Sequence, residues 1–368
     1  MDVQFQNNAL SVNYHNKSYQ LHPVWLRERL PGEEYFDVDT HQRLYEPSSI
    51  DLNLEIKAAT LSDHLLNIEF NDGVKGSYNM DDLLIEMDDE KNKRGPLPKR
   101  VLWNSSLSQF PEVQFEEGMS EKKSMYDLLI NFYKYGFVII KNVPTEDKYL
   151  LKFVNSIGPV KNTNFGEYFD VMSKPNPNDL AYKPIALPPH TDNPYRKPTA
   201  PGIQFLHCLQ NEVSGGFSTL VDGFAVAEYI KKHDPEAFQS LTSTNLRYQF
   251  QDKDIILENW GELIELDNDG DYKQVRYSTR VDYVPPLDTE KLNTFYRSRK
   301  LLSELYSASD FELKFKLQPG DIMMFDNHRL LHGRTAYDSN EGMRHLQGCY
   351  LEFDATDGKL RHLARKFK

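Results

Sequence analysis

The chain has 368 residues, 39% hydrophobic and 12% aromatic, enough to build one large domain and a smaller one. Its formal net charge of −12 argues against nonspecific nucleic-acid binding, which draws on surplus Lys and Arg facing phosphates. Two cysteines, Cys208 and Cys349, exclude a disulfide framework and a Cys-rich zinc site, and make a reducing, cytoplasmic setting the default.

No apolar run reaches the ~18–20 residues of a membrane span. The opening MDVQFQNNALSV lacks the cationic start and apolar stretch of a secretory signal. Residues 1–86 read as a small β-rich domain of short segments: Ala9–Tyr14, Ser18–Leu21, Glu55–Ala59, His64–Phe70 and Gly76–Tyr78. Asn71-Asp72-Gly73 is a hairpin signal between the last two. Residues 87–102 read as a linker, because the run MDDEKNKRGPLPKR is charged, holds two prolines and has no apolar period.

A larger domain is expected over 103–368. Ser124–Tyr135 spaces Met125, Leu128, Leu129 and Phe132 as a helix, stops at Gly136, and leads into the buried strand FVII. Further strands are expected at Ile203–Leu209, Ser218–Val221, Gln274–Tyr277, Glu312–Leu317, Asp321–Phe325 and Leu346–Phe353, with helices at Ala225–Lys232 and Thr289–Tyr306. The basic tail KLRHLARKFK reads as a solvated helix end. The class is therefore mainly β with flanking helices, a sandwich or jelly roll whose open end can hold a small ligand.

Within that frame, LPPHTDNPYR at 187–196 sets His190 and Asp192 two residues apart among prolines that forbid a helix. In extended backbone, residues i and i+2 point the same way, so both side chains can reach one ion. With eleven histidines and many aspartates, one such pair is expected by chance, so further ligands are needed. Pro319–Arg334 offers two, His328 and His332, beyond an apolar strand. Two imidazoles and one carboxylate with open positions suit Fe(II) that must also bind a cosubstrate and O2, although zinc accepts the same atoms. Arg344, twelve residues past His332 and on the next expected strand, can clamp a carboxylate bidentately, which suits the distal carboxylate of 2-oxoglutarate.

Together, His190-Thr-Asp192, Gly215-Gly-Phe-Ser218, Val221-Asp-Gly223, Phe325-Asp-Asn327, Leu331-His-Gly-Arg334 and Arg344-His-Leu346 resemble the gamma-butyrobetaine hydroxylase branch of the Fe(II)/2-oxoglutarate dioxygenases. That branch also contains trimethyllysine and 2-trimethylaminoethylphosphonate hydroxylases, and the resemblance extends to Trp25-Leu-Arg-Glu28. It implies a double-stranded β-helix and a homodimer. It also implies His190, Asp192 and His332 as iron ligands, with His328 excluded, and Arg344 as the 2-oxoglutarate clamp assisted by Ser218. Family members often hold zinc in the small domain, but the matching positions here are Leu30, Gly32, Tyr35 and Val74, so no structural zinc is expected.

The resemblance further implies an aromatic cage for a trimethylammonium group, built from Phe169, Tyr182 and Tyr350 with Phe165 nearby, since such a cation has no N–H to donate. Asn193 and Arg280 fall where anion-binding residues are placed, as in the phosphonate enzyme. Asp179 stands where the butyrobetaine enzyme has an Asn, and a carboxylate there repels an anion unless protonated or paired. The expected activity is hydroxylation of an unactivated C–H in a small trimethylammonium compound of gamma-butyrobetaine type. The phosphonate, trimethyllysine and sulfonate substrates are the alternatives, and a metal-free ligand-binding jelly roll is the rival outside enzymology.

Overall fold

Alternation of buried and exposed side chains governs both parts of the computed structural model, which describes residues 2–7, 9–14, 16–87, 94–172 and 183–367. The chain divides into two units, Met1–Gly95 and Pro96–Lys368. Two antiparallel three-stranded sheets build the first: Asp2–Gln6, Ala9–Tyr14 and Lys17–Leu21, then Ile56–Ser62, Leu65–Phe70 and Lys75–Asn79. Leu66, Ile68 and Phe70 alternate into a core shared with Leu10, Val12 and Leu26. Leu30 belongs to that core, with Tyr35 and Val74 packed against it. A Cβ on Gly76 would lie 2.1 Å from Leu30 Cδ1, so the glycine makes room for the leucine. Two short helices, Pro23–Arg27 and Met80–Met87, are additions to the elements expected from pattern.

The second unit is a sandwich of two sheets. Its strands, in chain order, are β1 (Glu112–Gln114), β2 (Phe137–Lys141), β3 (Phe169–Val171), β4 (Leu187–His190), β5 (Ile203–Asn211), β6 (Ser218–Asp222), β7 (Glu312–Phe315), β8 (Ile322–Asp326), β9 (Leu330–Arg334) and β10 (Arg344–Leu351). The larger sheet runs β3-β10-β5-β8-β2-β1 and the smaller β4-β9-β6-β7. Leu206, Cys208, Met323, Phe325 and Leu346 from the larger sheet meet Leu220, Leu313 and Leu330 from the smaller. The opposite side chains of the larger sheet, among them Ile203, Phe205 and Met324, pack against helices α1 (Lys123–Tyr135), α2 (Tyr149–Asn155) and α6 (Phe353–Phe367). Between β6 and β7 the chain inserts α3 (Gly223–His233), α4 (Pro235–Ser243) and α5 (Thr289–Tyr306) with short ribbons, around Phe224, Leu241, Tyr248 and Phe295. This is the jelly-roll architecture expected from the strand pattern.

Some local expectations shift. The last strand stops at Leu351, and Phe353 opens α6 because its ring seats against Gly202, where a Cβ would come within 2.6 Å. The basic tail is not a solvated end: Leu360 and Leu363 are buried in the helix-side core, while Lys359, His362 and Lys366 gather on Glu121. Residues up to 102 are not all linker, since Val101 N donates to Lys134 O at 2.8 Å and Val101 O accepts from Arg329 at 2.6 Å.

Arg329 and Asp222 form a fully buried pair behind the site strands. Asp222 accepts Nε at 3.1 Å and Nη2 at 2.6 Å, receives Trp103 N at 3.2 Å, and caps α3 through Phe224 N and Ala225 N. Gly136, at φ 79, ends α1 beside it, where a Cβ would lie 3.0 Å from Arg329 Cδ. Arg329→Met strands the Asp222 carboxylate and is expected to cost roughly 3–5 kcal/mol in urea unfolding. Adding Asp222→Asn, which keeps the helix cap, should recover part of that loss.

Candidate active site

The register of β4 on β9 sets His190 directly opposite His332. Their ring centroids lie 4.3 Å apart. Asp192 follows two residues on, its Oδ1 3.4 Å from His190 Nε2 and 3.8 Å from His332 Nε2. One donor atom from each of the three falls within 4.8 Å of the others, and no second group of this kind occurs among the described residues. His190 Nδ1 faces Pro188 O at 2.9 Å, which fixes the tautomer with a proton on Nδ1 and leaves Nε2 as a lone-pair donor.

Neighbouring residues hold this geometry. Asn327 accepts from Asp192 N at 2.7 Å and returns bonds to Asp192 O and Pro201 O at 3.1 and 2.9 Å. Thr191 exchanges hydrogen bonds with the backbone of Tyr277, N to O at 2.8 Å and Oγ1 from N at 3.0 Å. The Tyr350 hydroxyl donates to Asp192 Oδ2 at 2.7 Å, so one carboxylate oxygen is held and the other faces the imidazoles. Burial alone would raise Asp192, but His332, His190 and Tyr350 outweigh it and hold the carboxyl well below its usual range. Burial, aided by His190, takes His332 down to about 3, leaving a neutral ligand. Burial and then Asp192 push the Tyr350 phenol far up, so it remains a donor. Two imidazoles and a carboxylate are the donor set that Fe(II) takes with positions to spare. His328 lies apart from the three: its Nε2 is 2.8 Å from Ala200 O and its ring meets Phe353 at 5.2 Å.

Two buried guanidiniums, those of Arg344 and Arg334, lie further along the sandwich. Arg344 opens β10, buried, with Nε 3.3 Å from Gly216 O and Nη1 without a hydrogen-bond partner among the described residues. Burial, then the charge of Arg334, pulls its guanidinium down to about 10, still protonated at neutral pH. Gly216, at φ 67, is required: a Cβ there would lie 2.8 Å from Arg344 Cδ and Nε. Ser218, two residues on, is buried on β6 opposite Arg334. Arg334 donates to Lys183 O and Ile185 O at 2.6 and 3.0 Å, and both guanidiniums flank the Tyr337 ring, at 5.0 and 5.6 Å. A buried guanidinium with an unmet N–H fits a ligand carboxylate such as that of 2-oxoglutarate.

Beside Tyr350, the hydroxyl donor to Asp192, stands Phe169 at 5.3 Å, its ring laid over Gly348, where a Cβ would come within 2.4 Å. Phe165 does not join that pair; it is half exposed and meets Phe250 at 5.7 Å, which stacks on Tyr195 at 5.0 Å. Asn193 is buried at φ 53 with its Oδ1 taking the Tyr195 hydroxyl. Arg280 is exposed, and its charge acts on His332. Tyr182 and Asp179 lie outside the described residues. The roles of Tyr195, Phe250, Thr191 and Asn327 escape sequence reading, although Thr191 and Asn327 sit inside the His-Thr-Asp and Phe-Asp-Asn motifs.

His332→Ala is expected to abolish stoichiometric Fe(II) binding in an anaerobic titration, and His328→Ala to leave it intact. Tyr350→Phe keeps the aromatic wall but frees Asp192 Oδ2, and should cost about 10–100-fold in metal affinity.

Residues 97–350 match the sequence profile of the family described as "Taurine catabolism dioxygenase TauD, TfdA family". The chain is 29% identical to gamma-butyrobetaine dioxygenase of Pseudomonas sp. strain AK-1, over 94% of this chain and 90% of that one. It is also 29% identical to human gamma-butyrobetaine dioxygenase (98% and 95% covered) and to bovine mitochondrial trimethyllysine dioxygenase (96% and 83%). Among solved structures, AAD-2 in complex with Mn(II) and N-oxalylglycine superposes with a TM-score of 0.52 at 12% identity, over 69% of this chain and 97% of that one. Jelly roll, triad and a profile match across most of the second unit agree, and the chain belongs to the TauD, TfdA family of dioxygenases.

Proposed function

We propose that this protein hydroxylates an unactivated C–H of a small trimethylammonium compound of gamma-butyrobetaine type, using Fe(II), 2-oxoglutarate and O2. The observation that carries the reading is similarity along almost the whole chain to dioxygenases named for gamma-butyrobetaine and trimethyllysine. The triad and the Phe169–Tyr350 wall support it.

In this reading His190, Asp192 and His332 hold the iron, which with 2-oxoglutarate supplies the oxidation of C–H by O2, releasing succinate and CO2. Arg344, helped by Ser218, receives the distal carboxylate of 2-oxoglutarate. Tyr350 keeps Asp192 oriented while presenting its ring to the substrate. Phe169, Tyr350 and Tyr182 receive the trimethylammonium group, with Phe165 further out. Catalysis then rests on placing one C–H at the metal and keeping it there, rather than on a proton-transferring side chain.

A second headgroup has its own support. Arg280 adds positive charge felt at His332, and Asn193, next to Asp192 in sequence, is buried; both suit an anionic headgroup, a phosphonate included. Within the reading, 2-trimethylaminoethylphosphonate is thus the alternative substrate, followed by trimethyllysine and sulfonates. Asp179 bears on the same choice. A cytoplasmic location is proposed from the cysteine usage, and a homodimer from the family resemblance, which light scattering of the purified protein tests. No helix among the described residues is long and apolar enough to cross a membrane.

The test is 2-oxoglutarate turnover, measured as succinate, with gamma-butyrobetaine, trimethyllysine, 2-trimethylaminoethylphosphonate and taurine. At least one quaternary amine should stimulate turnover while taurine does not. Stimulation by taurine alone, or by none of the four, overturns the reading.

A further inference from the structure

On the inward face of β5 sits an amide that the described residues leave unsatisfied. Gln204 is 2% exposed, and its Oε1 is buried without a hydrogen-bond partner. Strand alternation fixes its direction. Ile203 and Phe205 pack among the helices, whereas Leu206 and Cys208 point between the sheets, and Gln204 shares their face.

The register then fixes its neighbours. Gln204 lies between Phe325 of β8 and Tyr350 of β10. Directly opposed residues of antiparallel strands carry their Cβ atoms about 4.5–5.5 Å apart. One neighbour has its ring 4.9 Å from that of His332, and the other donates its hydroxyl to Asp192. Two residues along the same face, Leu206 opposes Gly348, over which the Phe169 ring lies. Both residues opposite Gln204 thus touch the metal triad, and one of them, Tyr350, is half of the aromatic wall.

A buried amide without a partner destabilises a fold, and beside a metal triad a bound ligand is one group that can meet it. We propose that Gln204 is a substrate-positioning residue whose carbonyl oxygen faces the N-methyl groups of the bound trimethylammonium. This rests on the trimethylammonium reading above and deepens it. A quaternary ammonium donates no hydrogen bond, and its charge is spread over its methyl surface. Aromatic faces hold it, and so does an uncharged oxygen dipole that is already dehydrated and gives up no water when the cation arrives.

The test compares the iron-loaded wild-type protein with Gln204→Leu and, should that variant fold poorly, Gln204→Met. Each is titrated anaerobically, with 2-oxoglutarate present, against the stimulating quaternary amine and against its isostere carrying a tert-butyl carbon in place of nitrogen. Loss of the amide should weaken binding of the amine about tenfold and leave the carbon isostere unchanged within about twofold. Affinity for 2-oxoglutarate and Fe(II) should not move, and the melting temperature should rise by about 2–4 °C as the unmet polar group is removed. Equal binding of both ligands by wild type and variant overturns the inference. So does a lower melting temperature with parallel losses for amine, isostere and 2-oxoglutarate, which is the mark of a structural residue. If no quaternary amine stimulates the wild type, the parent reading fails; if one does and the variant is unaltered, this inference alone fails.

Discussion

The antiparallel pairing of β4 with β9 is the constraint on which the site depends. It lays His190 opposite His332, residues more than a hundred positions apart in the chain, and brings two imidazoles to one point without a flexible loop. Asp192 needs only the two-residue period of extended backbone to join them. Thr191 and Asn327 then tie the turn to Tyr277, Pro201 and the end of β8, so the ligand loop is hydrogen-bonded on both sides. The Arg329–Asp222 pair secures the start of β9 to α3 and to the end of α1, and so anchors the strand that carries His332.

Polar groups in this interior fall into two kinds. Arg329, Asp222 and Asn327 are buried with their bonding capacity met from several elements, and they stiffen the frame. Arg344 and Gln204 are buried with atoms left unmet, and they face the space between the sheets. A chain selected for stability alone would remove the second kind. In the proposed reading, a dicarboxylate meets Arg344 and a substrate meets Gln204.

The first unit makes the opposite use of its core. Leu30 is an interior leucine, and Gly76 clears the volume it occupies. Apolar packing of Leu30 with Tyr35 and Val74 nearby holds that region together.

Much of the jelly roll was readable because its strands are buried on one or both faces, as in FVII and IQFLHC, and because Gly136 stops the first long helix where pattern says it should. Short helices such as α2 and α4 carry too few turns to show a period, and the hydrophobic stripe of α6 is masked by its lysines and arginines. The His-x-Asp spacing and the arginine twelve residues past His332 are local facts, so the sequence by itself determined a candidate metal motif and its class of chemistry. Residue pattern alone leaves His328 and His332 open, and only resemblance chooses between them. Strand register is what sets His332 opposite His190, stands Phe169 beside Tyr350 and leaves the Gln204 amide oxygen unpaired among the described residues. A shift of one residue turns every side chain to the other face, and no local pattern encodes the partner across a sheet.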